Sequence, residues 1–205
     1  MGYEDWLLGE LKVDNSNLED VTGSVKASLR KHKEINADLM LKMGGSVELK
    51  LANSKMLSFS GDVNWSYQQW LEGNMKVANS TGKELSGTAS ATIIQQKMVG
   101  EGNKLEIQRG SSIQAQFTSS KVTGVGGDLA WRYDGWLKGT VSVPQWTKLD
   151  KPGGTITAGL LADKQVGNDL TLKRGGSVSG TMTDGSIKKI SGDVQWNYQS
   201  WLGGT

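Results

Sequence analysis

The 205-residue chain holds 28 glycines, 2 prolines, one histidine and no cysteine, at a formal net charge of +2. The missing thiols exclude disulfides, thiol catalysis and thiolate metal sites. So small a charge does not predict nucleic-acid binding, which normally shows a concentrated basic stripe. No apolar run reaches the ~18 residues of a membrane helix, and the first residues lack the basic-then-apolar order of a signal peptide. Synthesis in the cytoplasm without a membrane partner is therefore the expectation.

Tyr3-Glu4-Asp5-Trp6-Leu7-Leu8-Gly9 opens the chain as a shortened copy of a motif that returns three times. The complete copies are GDVNWSYQQWLEG at 61–73, GDLAWRYDGWLKG at 127–139 and GDVQWNYQSWLGG at 192–204. All four tyrosines, at 3, 67, 133 and 198, fall in it. A fixed step of about 65 residues marks repeated supersecondary units that bury their apolar faces against one another. After each Trp-Leu-x-Gly a run ends in valine, at 13, 77 and 143.

Residues 14–20, Asp-Asn-Ser-Asn-Leu-Glu-Asp, offer oxygens to a calcium ion but lack the glycine-centred spacing of an EF-hand, so an Asx-rich turn is expected. Next comes Gly-Ser/Thr-x-x-Ala at 23–27, 87–91 and 154–158. The basic run 30–33 contains His32 between Lys31 and Lys33 and has no counterpart in the other repeats; it reads as a strand end or hairpin tip. A third block pairs Leu39, Leu41 and Val47 around Lys-Met-Gly-Gly, and recurs around 105–113 and 170–178. Glycine accepts the positive φ of tight turns, so this block predicts a hairpin at the glycines.

Within the blocks the apolar residues alternate. Val63, Trp65 and Tyr67 point one way, and Asp62, Asn64, Ser66 and Gln68 the other, which is the period of a half-buried strand. No segment has a convincing helical period with caps. The expected fold is all-β: three tandem antiparallel units of four or five strands, approximately 3–66, 67–132 and 133–197. Residues 198–205 form a partial fourth motif, and 1–205 is a single domain. Both a closed barrel or prism and a linear stack satisfy the pattern. Because both ends of the chain fall inside the motif, a segment of a longer array is a further expectation.

Chemistry is sparse. A Ser-His-Asp mechanism needs a histidine base, and His32 is present in one unit alone. Metal ligation has one histidine and no cysteine to draw on, and a phosphate loop needs glycines followed by Lys-Ser/Thr opening a helix, whereas Gly-Gly-Ser-Val leads into a strand. No catalytic group, metal or cofactor is expected. Trp65, Trp131 and Trp196 share a face with the tyrosines and are expected in the core. Trp70, Trp136 and Trp201 lie at turns and are the candidate ligand-binding residues, with the recurring Asp62, Asp128 and Asp193 beside them. A Gly-Asp at a strand start also ties its own turn through backbone N–H groups, which is the structural reading of the aspartates.

Two functions follow. The first is a non-enzymatic binding module, with a carbohydrate-binding lectin as its most concrete form: repeated sites give avidity, and indoles stack on sugar rings. The chain is similar in repeat length to the Oscillatoria-type agglutinins, but their Trp-Gly-Gly signature is absent. The second is a structural or assembly subunit of a fibre, shell or injection apparatus, or part of a larger repeat protein. Its support is that the polar positions diverge (Asn64, Ala130, Gln195) while the apolar face is kept. The expected partners are a glycan or a protein, self-association included.

Overall fold

The computed structural model describes residues 2, 3, 5–14, 20–199 and 201–205; most of the Asx-rich stretch 14–20, for which a turn is expected, lies outside them. Of the described residues 67% are in strands and 2% in helix, and the pairing is antiparallel throughout, so the fold is all-β. In chain order the strands are β1 (Gly2–Tyr3), β2 (Leu7–Val13), β3 (Gly23–Leu29), β4 (Lys33–Glu34), β5 (Leu39–Ala52), β6 (Lys55–Tyr67) and β7 (Leu71–Ser80). There follow β8 (Gly87–Ile93), β9 (Lys97–Val99), β10 (Leu105–Ile107), β11 (Ser112–Thr118), β12 (Lys121–Tyr133), β13 (Leu137–Thr147) and β14 (Gly154–Leu160). The last are β15 (Lys164–Val166), β16 (Leu170–Leu172), β17 (Ser177–Thr183), β18 (Ser186–Asp193), β19 (Trp196–Tyr198) and β20 (Leu202–Gly204).

The chain divides into two compact units. One comprises Met1–Thr92 with Gln114–Thr123, the other Ile93–Ile113 with Gly124–Thr205. In the first, sequential hairpins lay the strands in the order β1-β2-β3-β5-β6-β7, with β4 against the start of β5. In the second, β12-β13-β14-β17-β18 run in order, β10 pairs β12, and a smaller sheet is ordered β15-β16-β19-β20. Neither unit closes into a barrel.

The three motif hairpins share one register. Tyr67 faces Leu71, Tyr133 faces Leu137 and Tyr198 faces Leu202. Gln68 and Gln69 both take the left-handed backbone (φ 45° and 57°), as do Asp134 and Gly135 (50° and 72°). Two such residues make the turn whose twist matches the flanking strands. The next residue, the turn tryptophan, donates its N–H back to the tyrosine carbonyl and stands outside the ladder.

The glycine pair after Lys42 is not a hairpin. β5 runs on past it against the same partner: Lys42 pairs Asn64 and Ser46 pairs Asp62, so residues 43–45 oppose the single residue Val63. This is a bulge, and such insertions bend a strand without ending it. Gly44 takes φ 98°, and a methyl on Gly45 would sit 2.8 Å from the Asp62 carbonyl oxygen. A hairpin and a bulge both demand glycine, so the composition alone misassigned it. His32 holds the bulge open, its Nδ1 accepting the Met43 N–H at 3.1 Å. At the equivalent place in the third repeat, Asp163 Oδ1 accepts the Arg174 N–H at 2.8 Å. In the middle copy Ser111 Oγ takes the Ala130 N–H at 3.0 Å.

Register separates the two faces of each sheet. In the first unit Leu11, Val25, Leu49 and Phe59 form one cross-strand row, and Gly9, Ala27, Val47, Gly61 and Val77 the next. On the reverse face run Glu10, Lys26, Glu48 and Ser60, then Lys12, Ser24, Lys50 and Ser58. In the second unit the apolar rows are Leu105-Tyr133-Leu137-Leu160, Ile107-Trp131-Gly139-Ala158-Val178 and Leu129-Val141-Ile156-Gly180.

Among the described residues these apolar rows are only partly covered. Leu29 and Leu160 are the only buried large hydrophobic ones among the described residues, and Leu129, Tyr133, Ile156 and Val178 are exposed. The accessible surface is 13547 Å², against ~9,300 Å² for a compact monomer of this mass and ~11,300 Å² even for two separate ones of half the mass. Trp65, Trp131 and Trp196, expected in a core, are consequently half-buried. Each lies across a glycine on the neighbouring strand: Trp65 faces Gly73, Trp131 faces Gly139 and Trp196 faces Gly204. A methyl on Gly73 or Gly139 would overlap the Cζ2 atom of its indole, and one on Gly204 would lie 2.9 Å from that of Trp196.

This geometry sets the first prediction. Gly139→Ala drives a methyl into both the Trp131 indole and the Thr157 carbonyl oxygen and should cost ~2 kcal/mol or more, and Trp131→Ala, deleting a half-buried ring, ~2–3 kcal/mol. Because the two residues touch, the double variant should lose clearly less than the sum of the singles, by ~1 kcal/mol. Urea unfolding of the four proteins measures it, and strict additivity would show that the indole does not rest on the glycine.

Candidate binding surface

The first complete motif builds a small aromatic platform at one end of its hairpin, where Tyr67 and Trp70 meet edge to face at 81° with centroids 6.4 Å apart. Trp70 Nε1 donates to Gln68 Oε1 at 3.3 Å, and Trp201 Nε1 to Gln199 Oε1 at the same distance. The middle motif has Asp134 where the others have glutamine, and its shorter side chain leaves Trp136 Nε1 buried with no acceptor.

Lysines stand on the ring faces of turn indoles. Lys33 Nζ stands 5.1 Å from the centroid of Trp6, and Lys164 Nζ 5.0 Å from that of Trp136. A cation over an indole contributes ~0.5–2 kcal/mol depending on desolvation. The lysines come from short strands, β4, which pairs the start of β5, and β15, which pairs β16. Their signal was present in the sequence as a lysine recurring at 33, 97 and 164.

The structure does not bring the recurring aspartates to the turn tryptophans. Asp62 and Asp128 lie within β6 and β12, not at a strand-start turn, so they do not tie one. Asp62 faces Ser46 and Lys76, Asp128 accepts the Ser142 hydroxyl, and Asp193 faces Ser177. All three belong to the polar face. Five residues, or ~16 Å of strand, separate Asp62 from Tyr67 at the turn. Trp70 and Trp136 are half-buried, whereas Trp201 is 72% exposed.

Two concavities flank this arrangement. On the polar face of the first unit an open trough of about 480 Å³ is lined by His32, Lys42, Asn64, Glu72, Asn74 and Thr92 among others. Its floor is already paired: Lys42 bonds Glu72, and Asn74 Nδ2 donates to Asn64 Oδ1 at 2.8 Å. On the apolar face of the second unit an open groove of about 410 Å³ is lined entirely by Leu105, Ile107, Leu129, Trp131, Tyr133, Leu137 and Val141. The groove is where side chains are unpartnered. Comparison with protein-family models, with curated proteins and with solved structures finds no match.

One ionisable group stands out. Lys173, hydrogen-bonded to Asp163, and then the Arg174 N–H, hold the Asp163 carboxyl below its ordinary value of 3.8. A lowered carboxylate stabilises the fold above its unfolded value and loses that contribution as pH falls through the folded one. An NMR titration should therefore place the Asp163 midpoint below 3.8, and Lys173→Ala should move it upward. An unchanged midpoint in that variant would show that the lysine is not its main partner.

Proposed function

We propose that this chain is a non-enzymatic structural β-protein, built of three tandem units of about 65 residues, whose apolar face engages a partner protein sheet. One observation carries the reading: each of the two compact units gathers its apolar rows on one face of a sheet, and much of that face is uncovered. Exposed contiguous apolar patches beyond a few hundred Å² mark interaction sites. At ~3.3 Å per residue and ~4.8 Å per strand, β2, β3, β5, β6 and β7 present ~800 Å² of face, the area one partner gives to a standard stable interface. A flat, two-dimensional face of branched and aromatic side chains suits packing against another sheet at ~10 Å. Mixed-sign rows such as Glu10-Lys26-Glu48 suit the reverse face to water.

The non-enzymatic part of the reading draws on His32, whose Nδ1 is committed to the Met43 N–H. A second reading, carbohydrate binding, is favoured by Trp201 alone, an exposed indole with its N–H held by Gln199. The lysines on Trp6 and Trp136 stand where a sugar ring would stack, which weighs against repeated sites.

The assembly reading predicts that the natively folded protein enhances the fluorescence of a hydrophobic dye and associates as concentration rises. Leu129→Lys, on an exposed apolar position, should diminish both while costing no more than ~1 kcal/mol of stability. A folded wild type that neither binds the dye nor associates would sink the reading. The carbohydrate reading predicts signal on a glycan array that Trp201→Ala removes, and a silent array disposes of it.

A further inference from the structure

We propose that the apolar face of the second unit packs on the same face of a second copy of this chain, about a twofold axis that seats the ridge of each copy in the furrow of the other. The inference rests on the assembly reading and adds to it a partner, a symmetry and a register. β13 pairs on both sides, with β12 and β14, and β14 pairs with β13 and β17. What these strands have left to offer is a face. Across it Gly139 of β13 stands beside Ala158 of β14, and two residues along the same strands Val141 stands beside Ile156. The first pair is a furrow, floored by the Trp131 indole where it lies over Gly139 and by the Ala158 methyl. The second pair is a ridge, which Leu129 continues onto β12. Leu129 and Ile156 are exposed, and Leu129, Trp131 and Val141 line the open groove.

Furrow and ridge lie ~7 Å apart along the strands. Half a turn about an axis parallel to the two rows and midway between them exchanges one for the other. It sets Ile156 of each copy over Ala158 of the other, and Val141 over the indole-covered Gly139. Side chains of packed sheets interdigitate in this way across ~10 Å. The contact is isologous and closes at two copies. Area and chemistry select a second copy over an unlike protein. From Val125 to Tyr133 the face runs ~26 Å along β12, and β12, β13, β14, β17 and β18 together span ~24 Å across it. Each copy then gives ~600 Å² and the pair ~1,200 Å², the lower bound of a standard stable interface. Neither ridge nor furrow carries a charge. Homodimer interfaces are apolar in this way, whereas an interface with an unlike partner is as a whole no more apolar than ordinary surface. A face without charge also lacks the electrostatic pattern by which unlike partners are chosen.

Exchanging ridge and furrow tests the register. Sedimentation velocity over a concentration series should give a dimer and nothing larger for the wild type, and circular dichroism should show the variants folded. Ala158→Leu fills the furrow and should weaken the dimer about tenfold although it enlarges the apolar surface, and Ile156→Ala, which lowers the ridge, should weaken it about as much. The double variant rebuilds the contact with ridge and furrow exchanged and should return to within about threefold of the wild type. An Ala158→Leu protein that associates as well as the wild type, or a double variant as weak as both losses combined, overturns the register. Association that continues past two copies overturns the twofold axis. Should Ala158→Leu fail to fold, a nitroxide on Thr140→Cys, the lone thiol of that chain, decides. Thr140 pairs Thr157 in the row between ridge and furrow, at the axis, so the dimer should give one narrow nitroxide–nitroxide distance, and a broad distribution or none overturns the proposal. A wild type that binds the dye but stays monomeric also overturns it and leaves the apolar face to an unlike partner, whereas one that does neither overturns both readings.

Discussion

A tryptophan lying across a glycine on the next strand is the contact on which the rest of this structure depends. Trp65 on Gly73, Trp131 on Gly139 and Trp196 on Gly204 are directly opposite pairs, and none tolerates a methyl without moving the indole. Covering a glycine with an aromatic ring compensates for the packing the glycine lacks, and pins register, since a slip of one residue would set the ring against a side chain. The contact also fixes where the turn falls. With Trp131 over Gly139, Tyr133 must meet Leu137, and the left-handed pair Asp134-Gly135 closes the hairpin. Each turn tryptophan is then the residue left over.

Register inherited from these pairs sorts every side chain onto one face or the other. In a protein with two packed layers the apolar set would form a core, and the hydrophobic effect would carry most of the stability. Here that set is half-exposed, and the described residues hold only Leu29 and Leu160 as buried large hydrophobics. Cohesion comes instead from long antiparallel ladders and cross-strand pairs, such as Thr140 with Thr157 at 2.7 Å between hydroxyls, each contributing a fraction of a kcal/mol to about 1 kcal/mol. A sheet of this kind gains its remaining stability from whatever covers it, so binding and folding are linked by mass action. An uncovered face is therefore a functional statement.

Much of this was legible in the sequence. The alternation of Val63, Trp65 and Tyr67 marked strand and face, and Trp70, Trp136 and Trp201 were placed at turns. Three things were not legible, for physical reasons. Gly44-Gly45 satisfies a hairpin and a bulge equally, and only the partner of β5 on either side of it, β6 in both cases, distinguishes them. Alternation says that a strand has two faces but not whether a second layer covers one, so Trp131 read as core when it lies at the floor of an open groove. The aspartates of the motif looked like neighbours of the turn tryptophans in sequence, yet β6, β12 and β18 carry them down the strand and onto the reverse face. The lysines at 33 and 164 show the converse: a recurring residue in an otherwise unremarkable stretch turned out to cap an aromatic ring.

Hydroxyl-radical footprinting of dilute protein tests the central claim most directly, because it reads side-chain exposure residue by residue. If one face of each sheet is uncovered, Leu11, Leu129, Tyr133 and Val178 should be labelled at rates approaching those of exposed residues of the same type, while Leu29 and Leu160 stay protected. Protection of Tyr133, Leu129 and Val178 to the level of Leu160 in monomeric protein would mean that the chain covers its own apolar face, and would contradict the account.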